Sequence, residues 1–279
     1  MSKRQDVRLA DGRAVTVHSA GAVDSAAPVL VLHYGTPHTG EHPARLTDLA
    51  LDLGLRLVAA TRPGFVGSPR RFGRTVADTA LDVAEALDRI GIDQMIMAGY
   101  SGGGPHALAL AALLGGRVSD VAVLASPAPY DQTPAWFEGM AGGGAGLRSA
   151  LSGYTAREVY QRTAEFDSDS FTKADWDALA GPWAGIGEDA RAAGTAGSDP
   201  GEIDDDLAFV APWGINLDQI TARVTLFQGS DDRIIPAHHA DRLASVLPAA
   251  NMRRVEGSGH VAVLAQLPLW MHAVSDALR

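Results

Sequence analysis

Ser101 stands in the stretch Met97-Ala98-Gly99-Tyr100-Ser101-Gly102-Gly103-Gly104-Pro105, a G-x-S-x-G pattern between an apolar run, Met95 to Ala98, and an alanine- and leucine-rich segment, His106 to Leu114. Strand, sharp turn and helix is the implied order. Such a turn holds a serine in a strained backbone conformation with its hydroxyl raised above the sheet edge, and only small neighbours avoid clashing with it. The other chemistry open to a glycine-rich turn of this kind is phosphate binding at a helix N-terminus. No lysine follows the glycines here, as a phosphate-binding loop of the P-loop type would require. A serine hydroxyl is a poor nucleophile at neutral pH, so the turn is useful only with a base in hydrogen-bond reach and a third group to orient that base.

Two downstream loops offer those groups. Gly229-Ser230-Asp231-Asp232-Arg233-Ile234-Ile235-Pro236 follows the strand-like run Ala222 to Gln228 directly; either aspartate could also cap the helix that begins after Pro236. Gly257-Ser258-Gly259-His260 follows a last strand, Asn251 to Val255, and opens a last helix, Val261 to Leu278. Of nine histidines, His260 is the one in a glycine-flanked loop after both the serine and the acidic pair. His106, one turn into the helix behind Ser101, points by its position into or across the core.

The elements that must position these groups alternate along the chain. Val7 to Leu9 and Ala14 to His18 flank the turn dipeptide Asp11-Gly12 and read as an opening hairpin. Pro28 to His33 and Leu55 to Ala60 are continuous apolar runs of the kind that fill parallel strands covered on both faces. Val76 to Ile90 repeats apolar residues at helical spacing, with Asp78, Asp82, Glu85 and Asp88 opposite. Ser119 to Ala125 is a further strand, and Ala237 to Leu247 a further helix. A mostly parallel sheet flanked by helices follows.

Between residues 130 and 212 the strand-like runs stop. Trp136, Phe137, Trp176, Trp183 and the adjacent Trp213 gather among short helical patterns such as Thr155 to Phe166 and Thr172 to Ala180, which describes a helical insertion over the sheet. Gly142-Gly143-Gly144 and the stretch Gly194 to Gly201 read as mobile joints. Each aromatic suits the insertion's own core, while together they favour an apolar pocket.

A chain of 279 residues fits one domain with an insertion. Its net charge of -10 argues against a nucleic-acid partner, which would need clustered lysine and arginine. The absence of cysteine removes disulfides, a thiol nucleophile and thiolate metal sites, and the polar Met1 to Arg13 lacks the apolar core of a signal peptide, so the cytoplasm is the default location. No apolar run approaches the ~18 residues that cross a bilayer. The candidate groups call for no metal and no cofactor, and leave the oligomeric state open.

Several of these loops together resemble the alpha/beta-hydrolase superfamily. Gly99 to Gly103 resembles its nucleophile elbow. Tyr34-Gly35-Thr36-Pro37, at the end of the Pro28 strand, is similar to its H-G-x-P loop with Tyr in place of His. Thr61-Arg62-Pro63-Gly64-Phe65-Val66-Gly67-Ser68 is similar to its D-x-P-G-x-G-x-S loop with Thr61 where Asp is usual. Gly229 to Pro236 resembles its G-x-x-D-x-x-V-P acid loop, and Gly259-His260 its histidine loop. The resemblance implies a core of residues 1–129 and 213–279 and a cap of residues 130–212 that sets substrate choice without contributing catalytic groups. It further implies Ser101 as nucleophile, His260 as base, Asp232 as acid with Asp231 its solvated neighbour, and the backbone N–H groups of Thr36 and Gly102 as the oxyanion hole. Asp131 is the alternative acid, because some members place theirs after that earlier strand. The implied activity is hydrolysis of a carboxylic ester or lactone of a small apolar substrate through an acyl-enzyme. Peptidases related to the proline iminopeptidases, carbon–carbon hydrolases and cofactor-free haloperoxidases share this triad, and a ligand-binding protein with a silent triad is the non-enzymatic rival.

Overall fold

The computed structural model describes residues 3–195 and 199–278. The chain turns at Asp11-Gly12, with Gly12 at φ +87°, so that β1 (Lys3–Arg8) pairs antiparallel with β2 (Ala14–Gly21). There follow β3 (Val29–His33), α1 (Ala44–Leu53), β4 (Arg56–Ala60), α2 (Val76–Arg89), β5 (Met95–Tyr100), α3 (Gly103–Leu114) and β6 (Val118–Leu124). Next come five helices without a strand: α4 (Ala145–Ala150), α5 (Tyr154–Thr163), α6 (Lys173–Ala180), α7 (Ala184–Thr195) and α8 (Asp199–Phe209). The chain closes with β7 (Arg223–Gly229), α9 (His238–Val246), β8 (Ala250–Val255) and α10 (Gln266–Ala277). All eight strands form one sheet in the order β1-β2-β4-β3-β5-β6-β7-β8. The β1–β2 and β2–β4 pairings are antiparallel and the other five are parallel.

Successive strand residues face opposite sides of a sheet, and here both sides are covered. Val29 and Val31 of β3 join Met95 and Met97 of β5 in one apolar cluster, against Val76, Val83 and Leu87 of α2. Leu30 and Leu32 join Ile96 and Ala98 in the other, against Leu46 of α1 and Met271 of α10. Helix α2 starts at a capping box in which Thr75 and Asp78 satisfy each other's backbone N–H. β5 thereby sits in the middle of the sheet with its carboxyl end free to carry a turn.

Three expectations from the sequence are corrected. The closing helix does not run unbroken from Val261: a 3-10 turn, Ala262–Ala265, precedes α10, and the N–H groups of Val261 and Ala262, which have no partner within the turn, are taken by Asp175 of α6. The pattern beginning at Thr155 ends as a helix at Thr163 and does not reach Phe166. The joint at Gly194 to Gly201 is not one open stretch: Gly194 closes α7, Gly201 lies in α8 against Gly64 and Phe65, and residues 196–198 lie outside the described residues. Gly142, Gly143 and Gly144 do form a sharp turn, all three at positive φ.

Candidate active site

Ser101 sits at the tip of β5 with φ +53°, a left-handed conformation that disfavours any residue with a Cβ by about 1–2 kcal/mol. Local contacts hold it there. Its N–H donates to the Leu124 carbonyl at the end of β6 (2.9 Å), and its carbonyl accepts from Gly104 N–H (3.0 Å). Helix α3 starts immediately behind it, and the turn closes because Gly103 has no side chain: a Cβ there would collide with the His33 carbonyl.

Asp232 and His260 arrive from the loops after the last two strands, β7 and β8. Asp232 follows β7, and its Oδ1 accepts the N–H groups of Ile234 (2.8 Å) and Ile235 (2.9 Å), which fixes the carboxylate. Its Oδ2 lies 2.9 Å from His260 Nδ1, and His260 Nε2 lies 3.0 Å from Ser101 Oγ. A carboxylate only accepts, so Nδ1 carries the proton and the bare Nε2 accepts from the serine hydroxyl. Asp232 and His260 are buried and Ser101 is half-buried. Tyr100 packs its ring 5.3 Å from that of His260; burial, with the Asp232 and Asp175 carboxylates nearby, pushes its hydroxyl well above the ordinary value of 10.0.

The other candidates stand elsewhere. Asp231 is exposed and accepts from the Ser230 hydroxyl (2.8 Å). Asp131 accepts from the N–H and hydroxyl of Thr133 and pairs with Arg242. His106 is wholly buried in α3, with Nε2 3.4 Å from Asp205 Oδ1, and burial lowers it from 6.5 to about 4.

The loop Tyr34-Gly35-Thr36-Pro37 lies against the elbow. An added Cβ at Gly35 would come 3.3 Å from Ser101 Cβ, and one at Gly102 would strike Thr36 Oγ1. Thr36 and Gly102 are thus neighbours beside the serine, with Gly102 at the positive N-terminal end of α3.

Four residues in this neighbourhood escaped the sequence reading. Arg62, from the loop after β4, donates to the carbonyls of Tyr34 (2.7 Å) and Gly35 (2.8 Å) and to Thr36 Oγ1 (2.9 Å). Asp205 of α8 accepts from Arg62, from Arg74 (2.6 Å) and from the Thr36 hydroxyl (2.6 Å). Burial alone would raise the Asp205 carboxyl, but Arg62 and Arg74 outweigh it and hold the carboxyl well below the usual range. Asp175 of α6 accepts the N–H groups of Val261 (2.7 Å) and Ala262 (2.8 Å), the two residues after His260. Phe209, which ends α8, places ring atoms 3.1 and 3.2 Å from where a Gly102 Cβ would stand. Each of these residues contributes through a partner far away in the chain, and no local pattern announces that.

The aromatics singled out in the insertion are not the ones beside the serine. Trp136 is fully buried, gives its indole N–H to the Ala128 carbonyl (3.0 Å) and packs edge-on against Phe137 and His239. Trp183 is buried in the apolar cluster of α1 and α10, and Trp176 is 41% exposed beside Phe166 and Phe171. Large rings gain most where they are buried completely, and the indole N–H then needs an acceptor, which the loop after β6 supplies to Trp136. A broad hollow lined by Lys3, Ser19, Arg56 and Arg89 lies apart from Ser101.

A strained serine between β5 and α3, facing a histidine and an aspartate from the loops after the last two strands of a mostly parallel sheet, defines a class of fold and site. Residues 28–265 match the family described as the alpha/beta hydrolase fold, and the chain belongs to that family. Among solved structures it is similar to an esterase from Rhodococcus sp. (20% identity, 99% of each chain, TM-score 0.69). It is similar also to an enol-lactonase from Burkholderia xenovorans (16% identity, 98% of this chain and 99% of that one, TM-score 0.68). A hydrolase from Pseudomonas aeruginosa aligns as widely (18% identity, 99% of this chain and 98% of that one, TM-score 0.69). At such identities the likeness is one of fold. No curated protein matches the sequence. Among the described residues no helix is long and apolar enough to cross a membrane.

Proposed function

We propose that this protein is a serine hydrolase that cleaves a carboxylic ester or lactone of a small apolar substrate through an acyl-enzyme on Ser101. The supporting observation is the hydrogen-bonded series Asp232–His260–Ser101, at 2.9 and 3.0 Å, on a serine held at φ +53°. His260 takes the hydroxyl proton through Nε2 as Ser101 Oγ attacks the carbonyl carbon, while Asp232 keeps the proton on Nδ1 and stabilises the imidazolium. The Thr36 and Gly102 amides hold the negative charge on the tetrahedral oxygen; losing one such donor typically costs ~3 kcal/mol of transition-state stabilisation. His260 returns its proton to the leaving alcohol, then activates the water that frees the acid and restores Ser101.

The helices between β6 and β7, residues 130–212, act as the cap in this reading. Phe209 is their aromatic beside the oxyanion site, and it favours an acyl or alcohol group bound by burial. The chemistry agrees with what is named for the Rhodococcus esterase and the Burkholderia enol-lactonase. Epoxide opening, named for another structural neighbour at 17% identity, is set aside because epoxide hydrolases of this fold use an aspartate where Ser101 stands.

The test is labelling by a small fluorophosphonate, with the modified peptide located by mass spectrometry, beside a panel of esters, lactones and aminoacyl arylamides. Labelling should fall on Ser101. Ser101→Ala should abolish it and lower the best turnover by about 10⁶-fold, with the fold retained. A retained rate above about a hundredth of wild type would remove Ser101 from the mechanism.

A further inference from the structure

We infer that Arg62 and Asp205 aim the oxyanion hole: the guanidinium, anchored by the cap aspartate, clamps the Gly35–Thr36 peptide and sets the direction of the Thr36 N–H. The inference rests on reading the Thr36 amide as an oxyanion donor. In a planar trans peptide the carbonyl and the following N–H point in opposite directions. Arg62 Nη2 binds the Gly35 carbonyl at 2.8 Å, so the Thr36 N–H of the same peptide is turned away from the guanidinium. Arg62 Nη1 binds the preceding carbonyl, Tyr34, at 2.7 Å, which pins two successive peptide planes with one rigid fork. The adjacent Ser101 packs against Gly35. Rotation of the Gly35–Thr36 peptide would strip a buried guanidinium of an acceptor and present it with an N–H instead.

The clamp is itself held from behind. Arg62 Nε and Nη2 both donate to Asp205 Oδ2, at 2.9 and 2.7 Å, and side-chain exposure is 1% for Arg62 and 0% for Asp205. The Thr36 hydroxyl donates to the same oxygen at 2.6 Å, so the side chain of the donor residue joins the anchor. Arg74 fixes Asp205 Oδ1 from the far side at 2.6 Å. Asp205 belongs to α8, and the hole is complete only while that helix is seated. Arg62 and Asp205 touch no reacting atom; they are positioning residues.

Three full-length variants separate aiming from mere tethering. Arg62→Lys keeps a charge but loses the fork. Thr36→Val keeps shape and amide but loses the hydroxyl. Arg70→Met removes a neighbouring tie to α8, the Arg70–Asp204 pair at 2.7 and 2.8 Å, which makes no contact with Tyr34, Gly35 or Thr36. Readouts are kcat and KM for the best ester, inhibition by a boronic acid that forms a tetrahedral serine adduct, and the melting temperature. Arg62→Lys should lower kcat about 10²-fold and Thr36→Val about tenfold, with boronate affinity falling in parallel and KM within about threefold of wild type. Arg70→Met should melt earlier and keep its kcat. Folded Arg62→Lys and Thr36→Val proteins with wild-type kcat would overturn the inference, as would a kcat loss in Arg70→Met equal to theirs. Should Arg62→Lys not fold, Thr36→Val decides alone. A wild-type protein that the fluorophosphonate leaves unlabelled would overturn the hydrolase reading and this inference with it; a labelled wild type with indifferent variants would overturn this inference alone.

Discussion

β3 and β5 are buried at every position and share their side chains between two apolar clusters, whereas the helices between β6 and β7 bury charge. Arg157 is the buried residue of α5, and Asp175 is buried in α6 beside Ala178. In α8 three successive aspartates each meet an arginine from elsewhere: Asp204 with Arg70, Asp205 with Arg62 and Arg74, Asp206 with Arg157. Apolar burial is non-directional and tolerates exchange at fixed volume, which suits a platform. A buried ion pair is directional, and removal of one partner typically costs about 3–5 kcal/mol because the other charge is stranded. The platform is therefore held by volume, and the helices between β6 and β7 by specific partners, of which Asp205 and Asp175 also touch the loops around Ser101.

The comparison predicts where substitutions show. Its strongest test lies within the platform, where Asp232→Asn should lower kcat by about 10⁴-fold through the wrong imidazole tautomer, with little change in melting. Asp231→Asn, on an exposed side chain, should leave kcat within about twofold. Equal losses in the two would mean that the 2.9 Å contact to His260 does not orient the base.

A smaller effect tests whether the helices between β6 and β7 reach the chemistry. Asp175 Oδ1 alone accepts both N–H groups after His260, so Asp175→Ala should loosen the histidine loop and lower kcat about 10- to 100-fold, alongside an earlier melt. Asp175→Asn keeps an oxygen there and should lose less. An unchanged kcat in a folded Asp175→Ala protein would confine the chemistry to the platform.

The smallest effect is one of pH. Burial, reinforced by Asp206, raises the Glu202 carboxyl from 4.5 to about 7, against the pull of Arg157. The folded state thus holds a proton more tightly than the unfolded chain. That contribution to stability is full below pH 4.5 and is lost as pH rises through 7. Glu202→Gln, which keeps the oxygen that accepts from Arg157, should gain about 1–3 kcal/mol over wild type at pH 8 and nothing at pH 4, read from urea unfolding at both. A gain independent of pH would mean that packing, not charge, governs this contact.

What could be read in advance follows the same division. The continuous apolar run Val29 to His33 and the glycines around Ser101 are local signals, since strand burial and a tight turn are decided by neighbours in the chain. Ser101 and His260 stand in short loop patterns after strands, while the choice of Asp232 over Asp231 comes from the resemblance to the family's acid loop. Arg62 and Asp205 are 143 residues apart, and Asp175 is 86 residues before Val261. An aspartate within a helix reads as a solvated face until its partner is known, and nothing in the sequence around Asp204, Asp205 and Asp206 points to the arginines they meet. Trp136 fills a core, as each such aromatic alone suggests; size does not say whether a group of rings also walls a pocket.

The place of the last two strands has a consequence for the order in which the protein is made. Synthesis runs from the amino end, and β3, β4, β5, β6 and the turn at Ser101 are all complete in the first half of the chain. Asp232 follows β7, and His260 follows β8, which pairs only with β7 at the border of the sheet. A growing chain that has not passed Val255 therefore carries every residue of the serine turn but not His260, the base proposed for it. In the proposed mechanism that hydroxyl gains its base only once β8 has docked beside β7.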